Sequence, residues 1–313
     1  MAAWAFLFPG QGSQYVGMGK DLRENFTIAR QTFEEADEAL KFHLARLCLD
    51  GPESDLKLTE NTQPAILTVS IAVMRVVAAE TGITPSLLAG HSLGEYACLV
   101  TAGALSFIDA VKTVRLRGRF MQEAVPVGVG AMAAILGLER GQVEQLCSES
   151  AEGQVLAPAN YNCPGQIVIA GEKNAVEEAI DFCKQSGAKR AVPLSVSVPS
   201  HCKLMGGASG RLAELLDKTD LKKPVIPLVN NADAAFLHTI EEVKSSLIRQ
   251  LSSPLLWEDS IKAMVSSGTE TFVEVGPGRV LSGLIKRIDP TVNILNVEDL
   301  KSLDNVLKEN NIN

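Results

Sequence analysis

Leu87-Leu88-Ala89-Gly90-His91-Ser92-Leu93-Gly94-Glu95-Tyr96 joins a short apolar run to a helix-forming run through a tight, glycine-flanked turn. The first part reads as a strand and the last as the start of a helix. Gly90, Ser92 and Gly94 make the G-x-S-x-G pattern of a nucleophile elbow. A serine held on such a turn presents its Oγ clear of the backbone, and only glycine leaves room on either side. The following helix would aim its free N–H groups and positive dipole end at the same point, where an attacked carbonyl develops negative charge. The bland alternative is a glycine-rich turn that matches by chance. The flanks favour the elbow.

Working back from the elbow, Trp4 to Phe8 is a continuous apolar run and reads as a buried strand. It ends in Pro9-Gly10-Gln11-Gly12-Ser13-Gln14, either an ordinary turn or a loop that approaches a ligand. Glycines on both sides of Gln11 would let its N–H face a substrate oxygen. Residues 21–50 read as helical, with Phe26, Phe33, Ala36 and Leu40 on one face. Thr62-Gln63-Pro64 then opens a long apolar helix to Glu80, with proline near its first turn.

Forward of the elbow, Ser106 to Ala124 reads as a helix containing Arg115, Arg117 and Arg119. Helical phase separates them. Arg117 shares a stripe with Ala110, Val114 and Met121, whereas Arg115 and Arg119 fall with Lys112 and Gln122. A charge on an apolar stripe needs a partner. It is either a snorkelling or internally paired arginine or one held in a pocket for an anionic substrate group, since its planar fork matches a carboxylate.

From Val127 to Val198 the pattern changes to Gly130–Leu136 (strand), Glu139–Glu149 (helix), Val155–Ala159 and Gln166–Ala170 (strands around Asn160-Tyr161-Asn162-Cys163-Pro164-Gly165), Lys173–Gln185 (helix) and Arg190–Leu194 (strand). This β-α-β-β-α-β order predicts a ferredoxin-like unit. The expected fold is therefore α/β, with a large subdomain of residues 1–126 and 199–313 and a small inserted subdomain of residues 127–198. A cleft between them is the natural substrate site. The rest reads as helix (204–216), strand (225–229), mostly helix (240–268), strand (271–275), helix (to 287), strand (293–297) and a polar C-terminal helix.

A serine nucleophile needs a base. His43 lies between charged residues and His238 in a polar stretch, while His91 shares the elbow but points elsewhere. That leaves His201, after Val198-Pro199-Ser200. No Asp stands near it, so a backbone carbonyl could hold its tautomer instead. Composition agrees with an enzyme: 313 residues, 46% hydrophobic and 21% charged, give an ample core. A net charge of −8 argues against nucleic-acid binding. The six scattered cysteines read as free thiols of a reducing cytoplasm, not a metal site. The N-terminus lacks a basic run and reads as a core strand and not a signal peptide; no apolar run suggests a membrane span.

Five stretches together, Phe8-Pro9-Gly10-Gln11-Gly12-Ser13-Gln14, Gly90 to Tyr96, Arg117-Gly118, Val198-Pro199-Ser200-His201 and Glu274-Val275-Gly276-Pro277-Gly278, resemble the malonyl-CoA:acyl-carrier-protein transacylases of bacterial type II fatty acid synthesis. The resemblance runs from Ala5 to about Arg287. It implies an α/β-hydrolase-like large subdomain with the ferredoxin-like insert, Ser92 as nucleophile and His201 as base. It further implies Gln250 as the residue whose backbone carbonyl orients His201, Gln11 and Leu93 as backbone donors of the oxyanion hole, and Arg117 as the group that binds the malonyl carboxylate. The implied substrates are malonyl-CoA and the phosphopantetheine thiol of acyl carrier protein, with no cofactor. An acidic carrier would need a local basic patch, for which Lys189, Arg190, Arg279, Lys286 and Arg287 are candidates. The rivals are a serine esterase or thioesterase with the same elbow and a discrete acyltransferase of a polyketide pathway.

Overall fold

The computed structural model describes residues 4–312 apart from 127, 152, 195 and 197. Strand β1 (Trp4–Phe8) is buried throughout. Alternation sends Trp4, Phe6 and Phe8 into one core and Ala5 and Leu7 into another, as for a strand covered on both faces. The stretch expected to be one helical run is three helices, α1 (Lys20–Asn25), α2 (Thr27–Leu40) and α3 (Leu44–Asp50). Phe26, extended at φ −123°, separates the first two, and Lys41 ends α2 in the left-handed conformation. Phe33 and Ala36 are fully buried.

A single turn, α4 (Glu53–Leu56), leads into α5 (Thr59–Thr81). The proline cue put the start of α5 at Thr62, but the helix begins a turn earlier. The side chains of Asn61 and Thr62 donate to the carbonyls of Asp55 and Leu56. This ties the first turn to α4 and leaves Pro64 inside the helix. α5 is long and apolar enough to cross a membrane, yet 78% of its apolar window is buried within the fold. Its burial is that of a core helix, although by length and composition it exceeds the expectation that no apolar run could span a membrane.

Strand β2 (Leu87–Gly90) pairs in parallel with β1, Gly90 opposite Phe8. Then come α6 (Gly94–Thr101) and α7 (Phe107–Ala124). Ser106 caps α7 by accepting from the Asp109 N–H. The next segment runs β3 (Gly130–Leu136), α8 (Arg140–Ser150), β4 (Leu156–Cys163), β5 (Gln166–Glu172), α9 (Lys173–Gln185) and β6 (Arg190–Pro193). Its strands form a separate antiparallel sheet in the order β4-β5-β3-β6. Val127, the expected first residue of this segment, lies outside the described residues. One expectation is corrected. The sequence pattern makes Asn160 to Gly165 a connection, but β4 continues to Cys163 and only Pro164 and Gly165 join it to β5.

After a short 3₁₀ turn, α10 (Gly206–Leu216), β7 (Leu228–Val229), β8 (Phe236–Leu237), α11 (Ile240–Gln250), α12 (Trp257–Ser266), β9 (Thr271–Val275), α13 (Val280–Ile288), β10 (Asn293–Val297) and α14 (Leu300–Ile312) complete the chain. β7 is shorter than the strand expected from Val225. Pro224 and Pro227 lack N–H donors, and Val225 is 80% exposed. The large sheet runs β10-β9-β1-β2-β7-β8, parallel except for β8. The two apolar faces of β1 show where its cores lie, one on each side of this sheet. The carboxyl ends of the adjacent strands β1 and β2 carry the loops with Gln11 and Ser92, the usual ligand edge of an open parallel sheet.

Candidate active site

Ser92 sits between β2 and α6 with φ of 52°, the left-handed region that a non-glycine residue rarely adopts. The glycines beside it are required by contact. A Cβ on Gly90 would stand 2.0 Å from the carbonyl carbon of Gly94, and one on Gly94 would stand 2.1 Å from the Phe8 oxygen. The elbow is thus pressed against the end of β1. Its backbone is held from two sides: the Ser92 N–H donates to Asn231 Oδ1 at 2.7 Å, and Gln250 Nε2 donates to the Ser92 carbonyl at 3.0 Å.

His201, also left-handed at φ 62°, follows the exit from the small sheet. Its Nδ1 lies 2.6 Å from the Gln250 carbonyl, which can only accept. Nδ1 therefore carries the proton, and Nε2 is left to accept from Ser92 Oγ at 2.9 Å. Burial pulls the imidazole down to about 3, a shift to which the nearby Arg117 charge and His91 add and which the Gln250 carbonyl opposes. His201 is accordingly a neutral acceptor at physiological pH.

Arg117 lies on α7 and is 1% exposed, on the apolar stripe that helical phase assigned to it. Nη1 donates to Gln63 Oε1 at 2.8 Å; Nη2 donates to Gln250 Oε1 at 2.9 Å and to Ser92 Oγ at 3.2 Å. Its guanidinium also stands 5.7 Å from the centre of the Tyr96 ring. Among the described residues, no carboxylate forms an ion pair with it. Arg115 and Arg119 behave as the phase argument requires: Arg115 stacks on Phe42, and Arg119 is exposed and pairs with Glu123.

Two backbone donors face the same space. Among the described residues, nothing accepts from the N–H of Gln11 or of Leu93. The Gln11 side chain is anchored to Thr59 Oγ1 at 3.3 Å, and Ser13 Oγ folds back onto the Gly10 carbonyl at 2.8 Å. Gln11, Ser92, Leu93, Arg117 and His201 all line one cavity of about 260 Å³, whose far wall comes from the small sheet through Met132 and Asn160.

The other histidines separate cleanly. His43 and His238 are exposed. His91 is buried, with Nε2 3.0 Å from Asn162 Oδ1 and its ring edge-on to Trp257 at 5.4 Å; its carbonyl accepts from Gly94. Sequence reasoning did not find Gln63, Asn231, Asn162 or Glu95. Gln63 carried a faint signal, a polar residue beside Pro64 where the long apolar part of the helix begins. Asn231 carried none, because its partner is 139 positions away.

This is the constellation of a serine acyltransferase: a strained serine, a neutral histidine, two open backbone donors and a buried cation beside the nucleophile. The acyl transferase domain family matches residues 5–304. The chain is 51% identical over 292 residues to the malonyl CoA-acyl carrier protein transacylase of Escherichia coli K12, covering 93% of this chain and 94% of that one. It is 49% identical over 317 residues to the Bacillus subtilis protein of the same name, covering all of both. The solved transacylase of Coxiella burnetii superposes with a TM-score of 0.96 at 44% identity, over 98% of this chain and 97% of that one. A malonyl-transacylase solved with its type II PKS acyl-carrier protein gives 0.97 at 47%, over 98% and 100%. The chain belongs to the malonyl CoA-acyl carrier protein transacylase family.

Proposed function

We propose that Ser92 carries the malonyl group in a ping-pong transfer whose base is His201. The reaction is the transfer of malonyl from malonyl-CoA to acyl carrier protein in fatty acid biosynthesis. His201 Nε2 takes the Ser92 proton as Oγ attacks the thioester carbonyl. The N–H groups of Gln11 and Leu93 hold the oxyanion; one such donor typically supplies about 3 kcal/mol. The C–S bond breaks, His201 returns the proton to the CoA sulfur, and malonyl-serine remains. The phosphopantetheine thiol then gives its proton to His201, attacks, and restores Ser92.

The observation that carries this reading is the buried Arg117, bonded to Ser92 Oγ and to neutral acceptors only. A substrate carboxylate completes its partners, and an acyl group without one leaves the charge unpaired. The same neutralisation lifts the charge that helps hold His201 down, so malonyl also strengthens its own base.

The strand order β4-β5-β3-β6 supports a ferredoxin-like insert over residues 127–198, and the elbow between parallel strand and helix supports an α/β-hydrolase-like remainder of 1–126 and 199–313. The exposed Lys189, Arg190, Arg279, Lys286 and Arg287 are the proposed carrier contacts. Six free, buried cysteines fit a cytoplasmic setting.

Radiolabelled malonyl-CoA offered without an acceptor tests the reading. Label that survives denaturation on the wild type and is missing from Ser92→Ala is the expected result. Release of free malonate with no retained label would make the chain a hydrolase.

A further inference from the structure

Glu95 opens α6 directly beneath the elbow and is 1% exposed. Its Oε1 accepts from the Asn231 N–H at 2.5 Å, and Asn231 Oδ1 accepts from the Ser92 N–H at 2.7 Å. Two bonds therefore run from a buried carboxylate to the backbone of the strained serine. They satisfy the Ser92 N–H and leave the Leu93 N–H free for the substrate oxygen. The second oxygen, Oε2, is buried and makes no hydrogen bond among the described residues, with the neutral Gln250 side chain its polar neighbour. A carboxyl in that condition keeps its charge only with help from a cation and otherwise takes up a proton. Arg117 is a buried cation that acts on it, and among the described residues its own hydrogen-bond partners are all neutral.

We propose that Glu95 is a positioning residue of the transfer: it holds Ser92 through Asn231, and its charge sets how strongly Arg117 binds the substrate carboxylate. An acid touching Arg117 would occupy the malonyl site. An acid held behind the elbow balances the guanidinium in the empty pocket and still leaves its donors for substrate. The inference rests on the roles given above to Ser92 and Arg117.

The charged and titratable surroundings of Glu95 are few. The Arg117 charge acts on it from α7, Tyr96 and Cys98 share its own helix, and His201 feels the same Arg117 charge. Asp233 approaches from the loop after β7, with its charge taken by Arg249 at 2.5 and 2.7 Å. Gln250 is the neutral neighbour. Burial pushes the Glu95 carboxyl up to about 7. It is therefore mostly neutral below that pH and gains charge as pH rises through it. The malonyl carboxylate then meets a second negative charge, and its KM rises.

Glu95→Gln keeps an acceptor for the Asn231 N–H and removes the charge; Glu95→Ala removes both. With Glu95→Gln, the KM for malonyl-CoA at pH 8 is expected to fall by about tenfold, on the order of one charge felt through a partly screened interior. Its rise between pH 6 and 8 should flatten, and the KM for acetyl-CoA should stay within about twofold. Fluorophosphonate labelling of Ser92 should be slowed in Glu95→Ala and restored in Glu95→Gln. A wild-type malonyl KM and pH profile in Glu95→Gln, or a raised KM, overturns the proposal. So does unslowed labelling in a folded Glu95→Ala. If Glu95→Ala does not fold, the Gln variant decides alone. Ser92→Ala and Arg117→Ala run beside them: retained label on the first, or retained malonyl preference on the second, would show that the underlying site reading had failed and not the role of Glu95.

Discussion

The side chain of Gln250 accepts from Arg117 Nη2 at 2.9 Å while the backbone carbonyl of the same residue accepts from His201 Nδ1–H at 2.6 Å. One residue at the end of α11 thus sets both the direction of the cation and the tautomer of the base. The two roles separate by mutation. Gln250→Ala keeps the carbonyl and loses the amide, including its bond to the Ser92 oxygen. Hydrogen bonds to charged groups contribute about 1.5–3 kcal/mol. The kcat/KM for malonyl-CoA should therefore fall roughly 10- to 100-fold, and the malonyl-to-acetyl ratio should fall with it. An unchanged ratio in steady-state assays with both donors would remove Gln250 from Arg117 positioning.

Arg117→Ala should convert a selective enzyme into an indifferent one. The loss for malonyl-CoA is expected at about 2–5 kcal/mol in kcat/KM, the range for stripping one partner from a buried charge pair. Arg117→Lys should rescue little of it. A lysine is a point donor and cannot reproduce bonds to Gln63, Gln250 and Ser92 from one planar fork. Competition between the two donors on each variant gives the ratio directly. A malonyl preference that survives Arg117→Ala would place the carboxylate elsewhere.

The pH dependence of Ser92 labelling reports on His201. Burial depresses its pKa to about 3, with Arg117 and His91 contributing. A depressed base stays neutral as pH falls past 6.5, so its acceptor Nε2 survives into acid. The fluorophosphonate labelling rate of the free enzyme should lack an acid limb near pH 6.5 and should decline only well below it. An acid limb at 6.5 would mean a solvated imidazole, which its 3% exposure contradicts.

How much of this was legible in the sequence depended on the range of each interaction. The elbow, the extent of α7 and the phase of Arg117 are local, set by spacings of a few residues, and each stands where the sequence put it. The start of α5 and the end of β4 were misplaced because a stronger contact overrode a local cue. Side chains bonding α4 outweighed Pro64, and the tight Pro164-Gly165 turn let a polar Asn160-Tyr161-Asn162 run pair as strand. The missing triad acid was legible only as an absence, since a backbone carbonyl leaves no residue type to search for. Asn231 left no trace because it reaches the elbow only through folding, and Glu95, though it stands in the elbow stretch, is tied to Ser92 only by way of that asparagine.

Two glycines in similar helical settings predict opposite outcomes. Gly94→Ala drives a Cβ against the Phe8 oxygen at 2.1 Å, where strand β1 cannot yield. Overpacking of that kind costs typically about 1–3 kcal/mol, and labelling of Ser92 should fall with stability. Gly283, exposed in α13, has nothing within 4 Å of an added Cβ. Gly283→Ala should gain about 0.5–1 kcal/mol from the loss of unfolded-state freedom and better helix propensity. Denaturant unfolding with intrinsic fluorescence checks both. A stable Gly94→Ala would contradict the close approach of α6 to β1.

The carrier surface is the last test, and its charges are not equivalent. Arg279 is paired with Glu298 at 3.4 Å, and Arg287 is bonded to Gln166 Oε1 and the Pro164 carbonyl. Lys189 lies over Gly137, whose N–H donates to the Gly165 carbonyl, so it borders the same hairpin that Arg287 reaches. Lys189, Arg190 and Lys286 are exposed candidate cations that form no ion pair among the described residues. Rim charges of this kind contribute about 0.2–1 kcal/mol each and act mainly on association. Reversing all three to Glu should lower kcat/KM for an acidic carrier protein by roughly tenfold and flatten its decline with added salt. A malonyl thioester of N-acetylcysteamine carries no phosphate, so acylation of Ser92 by it should be unaffected. That donor separates carrier docking from any hold on the CoA phosphates. Equal losses with carrier and with the small thioester would mean that the substitutions had damaged the pocket and not the docking surface.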